Sequence, residues 1–192
     1  MNTKNVAVWL GLFAAVLFLN SCAGLGGSAL SKSSQEDLMK RGRASLNHLY
    51  DTSPKARELR PQVKSILVFP DIIKAGLFVG GSGGNGVMFS PNGRVLGYYN
   101  ITGLSYGLQL GAENYSQAMF LVTDEAVQYL NDSAGWSIGT GPHVVVVDEG
   151  MGKDLSSTTL RPDVFSFVYG QKGLMGALAI QGQKITKLEH AK

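Results

Sequence analysis

The chain has 192 residues, a formal charge of +3, 44% hydrophobic and 16% charged residues, and 25 glycines but a single cysteine. A lone cysteine excludes an internal disulfide, so packing and backbone pairing must hold the fold. The balance of apolar and charged residues is that of a globular protein, and a glycine share nearly twice the usual ~7% argues for turns, bulges and close backbone approach rather than for helix.

In chain order, Lys4 gives a basic start, Val6 to Leu19 is mostly apolar, and Asn20-Ser21 precede Cys22. This is the layout of an export signal, and its apolar run falls short of the roughly 20 residues that span a bilayer. The placement of Cys22 resembles the lipobox of a bacterial lipoprotein, which implies an acylated cysteine at the mature amino terminus. Several acyl chains hold a protein to a membrane effectively permanently. Ala23, in the place where aspartate retains lipoproteins at the inner membrane, resembles an outer-membrane address. The alternative for Cys22 is a small buried core residue. On this reading, residues 1–21 are a signal peptide, 22–33 a lipidated flexible tether, and 34–192 one domain facing the periplasm or the cell surface. About 170 residues are enough for one core but not comfortably two, and nucleic acid is not an expected partner in that compartment.

Charge divides sharply along the domain. Residues 32–74 carry nine Lys or Arg against five acids, residues 75–152 only Arg94 against six acids, and residues 153–192 six bases against three acids. Basic ends suit contact with an anionic lipid or polymer, although a solvated helix face has the same composition. A first helix is expected from about Ser34, with Glu36 and Asp37 in its first turn, where negative charge suits the dipole. Leu38, Met39, Leu46, Leu49 and Tyr50 fall near one face, with Lys40, Arg41 and Arg43 largely elsewhere. Such an amphipathic helix either lies on a membrane or packs on its own domain. Gly42 weakens it by about 1 kcal/mol relative to alanine. Ser53-Pro54 starts a second short helix carrying Lys55, Arg57 and Arg60, which stops near Pro61.

From Ser65 the pattern becomes that of strands. Ile66 to Phe69 reads as a strand buried on both faces. Ala75 to Gly80 and Gly86 to Ser90 flank a glycine loop, and Ser90-Pro91-Asn92-Gly93 is a turn before Arg94 to Tyr99. Between Thr102 and Gly111, bulky Leu104, Tyr106, Leu108 and Leu110 alternate with small or polar residues, giving one bulky and one nearly bare face. Ala118 to Val122 is a strand, and Thr123 caps a short helix through Leu130. Val144 to Val147, Val164 to Tyr169 and Leu174 to Ile180 bring the count to about eight strands. The fold class is therefore α+β: a mainly antiparallel, curled sheet, barrel- or sandwich-like, with N-terminal amphipathic helices and one short internal helix.

Catalytic patterns are weak. Gly80-Gly81-Ser82-Gly83-Gly84 matches a nucleophile elbow, but that device needs a strand before the serine and a helix after it, and turn and strand residues follow here. Gly81, Gly83 and Gly86 match a dinucleotide fingerprint with the same missing helix. His48, His143 and His190 are isolated, so no metal site is expected. Asp148-Glu149-Gly150 reads as an exposed turn before it reads as a cation site. No nucleophile with its base is visible, so the chain is expected to be non-enzymatic and to use no cofactor, a hydrolase at Ser82 being the remote alternative.

Several strings carry a family resemblance: Ile66-Leu67-Val68-Phe69-Pro70, Lys74-Ala75-Gly76, Gly80-Gly81, Gly97-Tyr98-Tyr99, Ser105 to Ala112, Val144 to Gly150, and Gln171 to Met175. In this order, over about residues 35–188, they resemble the SYLF domain. Known eukaryotic members bind phosphoinositides and, in some cases, actin filaments, and an N-terminal amphipathic segment is implicated in membrane contact. Bacterial members look secreted or lipid-anchored. The resemblance implies a domain that binds anionic phospholipid in the cell envelope; actin and phosphoinositides do not suit that compartment. Lys40, Arg41, Arg43, Lys55, Arg57 and Arg60 are the candidate lipid-binding residues, each worth up to about 1 kcal/mol at an anionic surface. Only the first three fall in the matching segment. An adaptor that holds an envelope protein is the alternative.

Overall fold

The computed structural model describes residues 30–76, 79–106, 111–131, 135–138, 140–148, 162–173 and 182–188. Its frame is one eight-stranded sheet: β1 (Ser65–Gly76), β2 (Val79–Phe89), β3 (Val95–Tyr106), β4 (Gly111–Leu121), β5 (Trp136–Ser137), β6 (Val144–Asp148), β7 (Val164–Gly173) and β8 (Gln183–Lys187). The order across the sheet is β5-β8-β3-β2-β1-β4-β7-β6. Every pairing is antiparallel except β6 with β7. Among the described residues the sheet curls into a half-barrel, which matches the expected mainly antiparallel, curled sheet.

Strand β1 lies at the centre because its apolar run serves both faces. Ile66 and Val68 point to one face, Leu67 and Phe69 to the other, and all four are buried. On the first face lie helix α1 (Lys32–Thr52) and helix α2 (Pro54–Leu59), followed by a 3₁₀ turn at Arg60–Gln62. Leu38, Leu49, Ala56 and Leu59 pack there on Val87, Phe120, Phe167 and Tyr169. Helix α3 (Asp124–Asn131) covers part of the second face through Ala126 and Leu130, beside Tyr99, Trp136 and Ile185.

The helix boundaries follow from side-chain caps. Ser31 Oγ accepts the Ser34 amide at 3.2 Å, so α1 begins two residues before the expected Ser34, and Leu30 is already half-buried against the core. Ser53 ends α1 by donating its amide to Leu49 O at 2.8 Å, and its hydroxyl then accepts the Ala56 amide to start α2. Thr123 Oγ1 accepts the Ala126 amide at 3.2 Å, as its position before α3 predicts.

Three expectations for the strands need correction. The glycine loop is no loop: residues 79–89 form one strand, because β1 and β3 supply ladder partners on both sides and small residues accept the extended backbone. The alternating run Thr102 to Gly111 is not one strand but the end of β3 and the start of β4. Strands β5 and β8 are additions, too short or too polar to read as strands in isolation. The expected strand Leu174 to Ile180 lies outside the described residues.

Two glycines set how closely layers approach. A Cβ on Gly42 would sit 2.4 Å from Val87 Cγ1, so the missing side chain lets α1 settle directly onto β2. On the other face, a Cβ on Gly86 would lie 2.5 Å from the Phe69 ring and 2.9 Å from Val68 O. The same atom on Gly81 would meet nothing within 4 Å. Gly86→Ala should therefore cost about 1–3 kcal/mol by overpacking. Gly81→Ala should stay within about 0.5 kcal/mol of the parent. Equilibrium urea unfolding of the two variants separates these outcomes.

Candidate functional site

Helix α1 crosses the sheet with Gly42 facing β2, so its neighbours in sequence emerge on opposite flanks of the helix. Arg43 leaves toward the β2–β3 turn. Its Nη2 donates to Gly93 O at 2.6 Å, and its guanidinium carbon lies 5.0 Å from the centre of the Phe89 ring. The turn that receives it is closed internally. Ser90 O accepts the Gly93 amide at 2.8 Å, and Ser90 Oγ accepts the Arg94 amide at 3.0 Å. Gly93 adopts φ +81°, a left-handed conformation that glycine takes without strain.

Between α1 and this turn runs a cleft of about 320 Å³, with Asn47 and Tyr50 on the helix side and Asn92 on the turn side. Arg60, just past α2, reaches the same cleft and stacks on the Tyr50 ring at 5.2 Å. Burial pushes the Tyr50 phenol up, and the nearby Arg60 charge partly offsets this. Among the described residues no carboxylate lines the cleft. Two guanidiniums, each steadied by an aromatic face, thus border one small polar groove. Cation–π contacts of this kind contribute about 0.5–1 kcal/mol at exposed sites and hold the planar fork ready for an oxyanion.

The other cations picked out in the sequence are arranged differently. Arg41, on the opposite flank of α1, donates from Nε to Asp37 Oδ2 at 2.8 Å and pairs with Asp71. Asp71 is available because β1 bulges at Pro70-Asp71, where register shifts against β2 and β4. Burial works against the Arg41 charge, but its two aspartates more than compensate and push its pKa up. Lys55 pairs with Glu58 at 3.0 Å. Arg57 donates to Tyr50 O and to Asp51 O, the latter at 3.1 Å, where it satisfies carbonyls at the end of α1. Lys40 is exposed on α1. The apolar stripe of α1 lies against the sheet, with Leu38 and Leu49 fully buried. Phe89 and the 90–93 turn were not legible as site residues, because nothing local links them to Arg43, more than 40 residues away.

The opposite face carries a buried polar layer. Lys74, Glu113, Gln117, Ser166 and Gln183 are all buried there. Gln117 Nε2 donates to Ser166 Oγ at 3.0 Å, and Gln183 Nε2 lies 3.4 Å from the Tyr115 hydroxyl. Burial pushes the Tyr115 phenol up to about 12, although hydrogen bonds to Ser82 and Gln183 favour its ionised form. Glu113 Oε2 and Gln117 Oε1 have no hydrogen-bond partner. Ser82 sits mid-strand opposite Lys74 and Gly103, without the strand–turn–helix of a nucleophile elbow. Among the described residues no group of His, Cys, Asp and Glu could hold a metal. His48 lies beside the Tyr169 ring, and the amide of His143 donates to Asp163. Cys22, His190, Glu149 and Gly150 lie outside the described residues.

Burial pushes the Glu113 carboxyl up, against the pull of Lys74. The folded state therefore holds that proton more tightly than the unfolded chain, and stability falls as pH rises from the ordinary carboxylate range through the raised value. Glu113→Gln removes this slope. Its stability relative to the parent should be more favourable at pH 7 than at pH 4, which denaturant titrations at the two pH values measure.

A family model described as Ysc84, Las17-binding protein actin regulator, matches residues 102–191, from within β3 through β8. No curated protein matches the chain.

Proposed function

We propose, from the membership of residues 102–191 in the SYLF-domain (Ysc84) family, that this protein is a non-enzymatic lipoprotein of the bacterial outer membrane whose domain binds anionic phospholipid. Cys22 is the anchor, and the domain faces the periplasm. The observation that carries the reading is the carboxylate-free cleft bordered by Arg43 and Arg60. Every residue that lines it precedes the family match, which begins within β3.

A guanidinium presents paired N–H donors that match two phosphate oxygens, and it sheds water more readily than an ammonium. Each cation near an anionic membrane contributes about 1 kcal/mol, so the two arginines together give roughly a thirtyfold preference. That is weak as a free affinity. For a domain already tethered to the bilayer it suffices, because the tether replaces a bimolecular encounter with a local concentration in the millimolar range.

Flotation of residues 23–192, without acyl chains, on neutral phosphatidylcholine and anionic phosphatidylglycerol vesicles tests the headgroup site. Binding should be confined to anionic vesicles and should weaken as ionic strength rises. Arg43→Gln with Arg60→Gln should reduce it roughly tenfold or more, in line with two lost cations. Lys55→Gln, whose charge faces Glu58, should leave it unchanged. No binding at any ionic strength would overturn the lipid reading in favour of an adaptor for an envelope protein. The anchor is tested separately: in cells, Cys22→Ser should move the protein from the membrane fraction to the soluble one.

A further inference from the structure

Beyond α1, the same sheet face continues without a covering element among the described residues. One cross-strand row runs Lys184, Thr102, Gly83, Ile73, Asn114 and Lys172, each directly opposite the next. The row after it runs Leu104, Gly81, Ala75 and Ala112, with Val79 further along β2. Directly paired residues share a face. Ile73, Val79 and Leu104 are 62%, 56% and 60% exposed. The alternate positions on the same strands point inward and include the polar Lys74, Glu113 and Gln183, all buried. At this end of the sheet Lys74, Glu113 and Gln183 point inward, and Ile73, Val79 and Leu104 point to solvent.

A sheet that meets water shows the reverse pattern. Apolar-out and polar-in is the pattern of strands that meet lipid. We infer that this end of the sheet, centred on Ile73, Val79 and Leu104, seats against an anionic phospholipid bilayer, with Lys172 and Lys184 at the headgroups on either side. The inference rests on the proposed anchoring at Cys22. Three further observations support this occupant. Neither row contains a carboxylate, and both flanking lysines are exposed. Asn85 lines both the hollow beside Leu30 and the glycine floor of the apolar face, so Leu30, the first described residue, lies near this surface. Eight residues from Leu30 to Cys22 reach at most about 29 Å, less than the roughly 40 Å length of a 12-residue strand such as β1. The tether thus keeps this side of the domain near the membrane. A second copy of the chain fits less well, because twofold stacking of this face sets lysines of the same row against one another.

The test uses the full acylated chain in vesicles of phosphatidylcholine and phosphatidylglycerol, with Leu104→Cys or Ile73→Cys carrying an environment-sensitive fluorophore. Acylation blocks Cys22, so only the introduced thiol is labelled. Glu125→Cys on α3, at the opposite face, is the control. Fluorescence at 104 and 73 should shift to the blue and be quenched by bromine-labelled acyl chains several times more strongly than at 125. Lys172→Gln with Lys184→Gln, or omission of phosphatidylglycerol, should cut that quenching at least by half. These positions are exposed, so thermal unfolding of the variants should match the parent. A solvent-like signal at 104 and 73 on floated protein overturns the inference, as does a blue shift without lipid quenching, which marks a protein occupant. The headgroup reading fails independently, through loss of the Arg43 and Arg60 dependence in the anchor-free assay.

Discussion

The contact between Gly42 and Val87 decides most of what the molecule presents to its surroundings. With no side chain between helix and strand, α1 lies close on β2, and its angular setting is fixed by that contact. Arg41 and Arg43, one residue to either side, then leave on opposite flanks. One meets the bulge at Asp71 and is neutralised; the other meets the carbonyl of Gly93 and borders an open groove. Two arginines on either side of one glycine acquire different roles from helical geometry alone. A larger residue at position 42 would lift the helix and blur that distinction before it cost the fold its identity.

The sheet itself changes character along its strands. Near Leu67 and Val68 it is dry on both faces, which is why β1 reads as an unbroken apolar run and why α1, α2 and α3 find purchase there. Toward Gly76 the two faces exchange polarity. The bulge at Pro70-Asp71 marks the changeover. It inserts one extra residue into β1, so that Ile72 rather than Ile73 continues the buried series and Lys74 follows it inward. Proline suits the bulge because it has no amide to donate, and Ser116 satisfies its carbonyl at 2.7 Å. A one-residue slip of this kind reverses every side chain beyond it.

Much of the framework was legible in the chain. The doubly buried strand at Ile66 to Phe69, the Ser53-Pro54 junction, the turn at Ser90 to Gly93 and the Thr123 cap depend on local chemistry, and local chemistry is what a sequence displays. The glycine-rich run from 79 to 86 was misleading for the same reason: alone it has no preference for a strand, and only the ladders of β1 and β3 confer one. The alternation from Thr102 was real, but periodicity does not say where a chain reverses or which face meets water. Arg43 and Arg60 stood among six candidate cations, and nothing in their spacing distinguished them. What separates them is the position of acids and carbonyls elsewhere in the fold: Asp37, Asp71, Glu58 and the last carbonyls of α1 engage three of the six.

Ser53 serves two helices at once: its amide closes α1 and its hydroxyl opens α2. The joint has no slack residue, and Arg57 reaches back across it to the carbonyls of Tyr50 and Asp51. The two helices therefore behave as the arms of a caliper with a locked pivot. The gap between Arg43 on one arm and Arg60 past the other is set by that pivot together with what holds each guanidinium: the Gly93 carbonyl and Phe89 ring of the sheet for Arg43, the Tyr50 ring of the helix for Arg60. Motions that shift the β2–β3 turn against the helices will therefore change the spacing of the two guanidiniums, and with it the size of anion they accept.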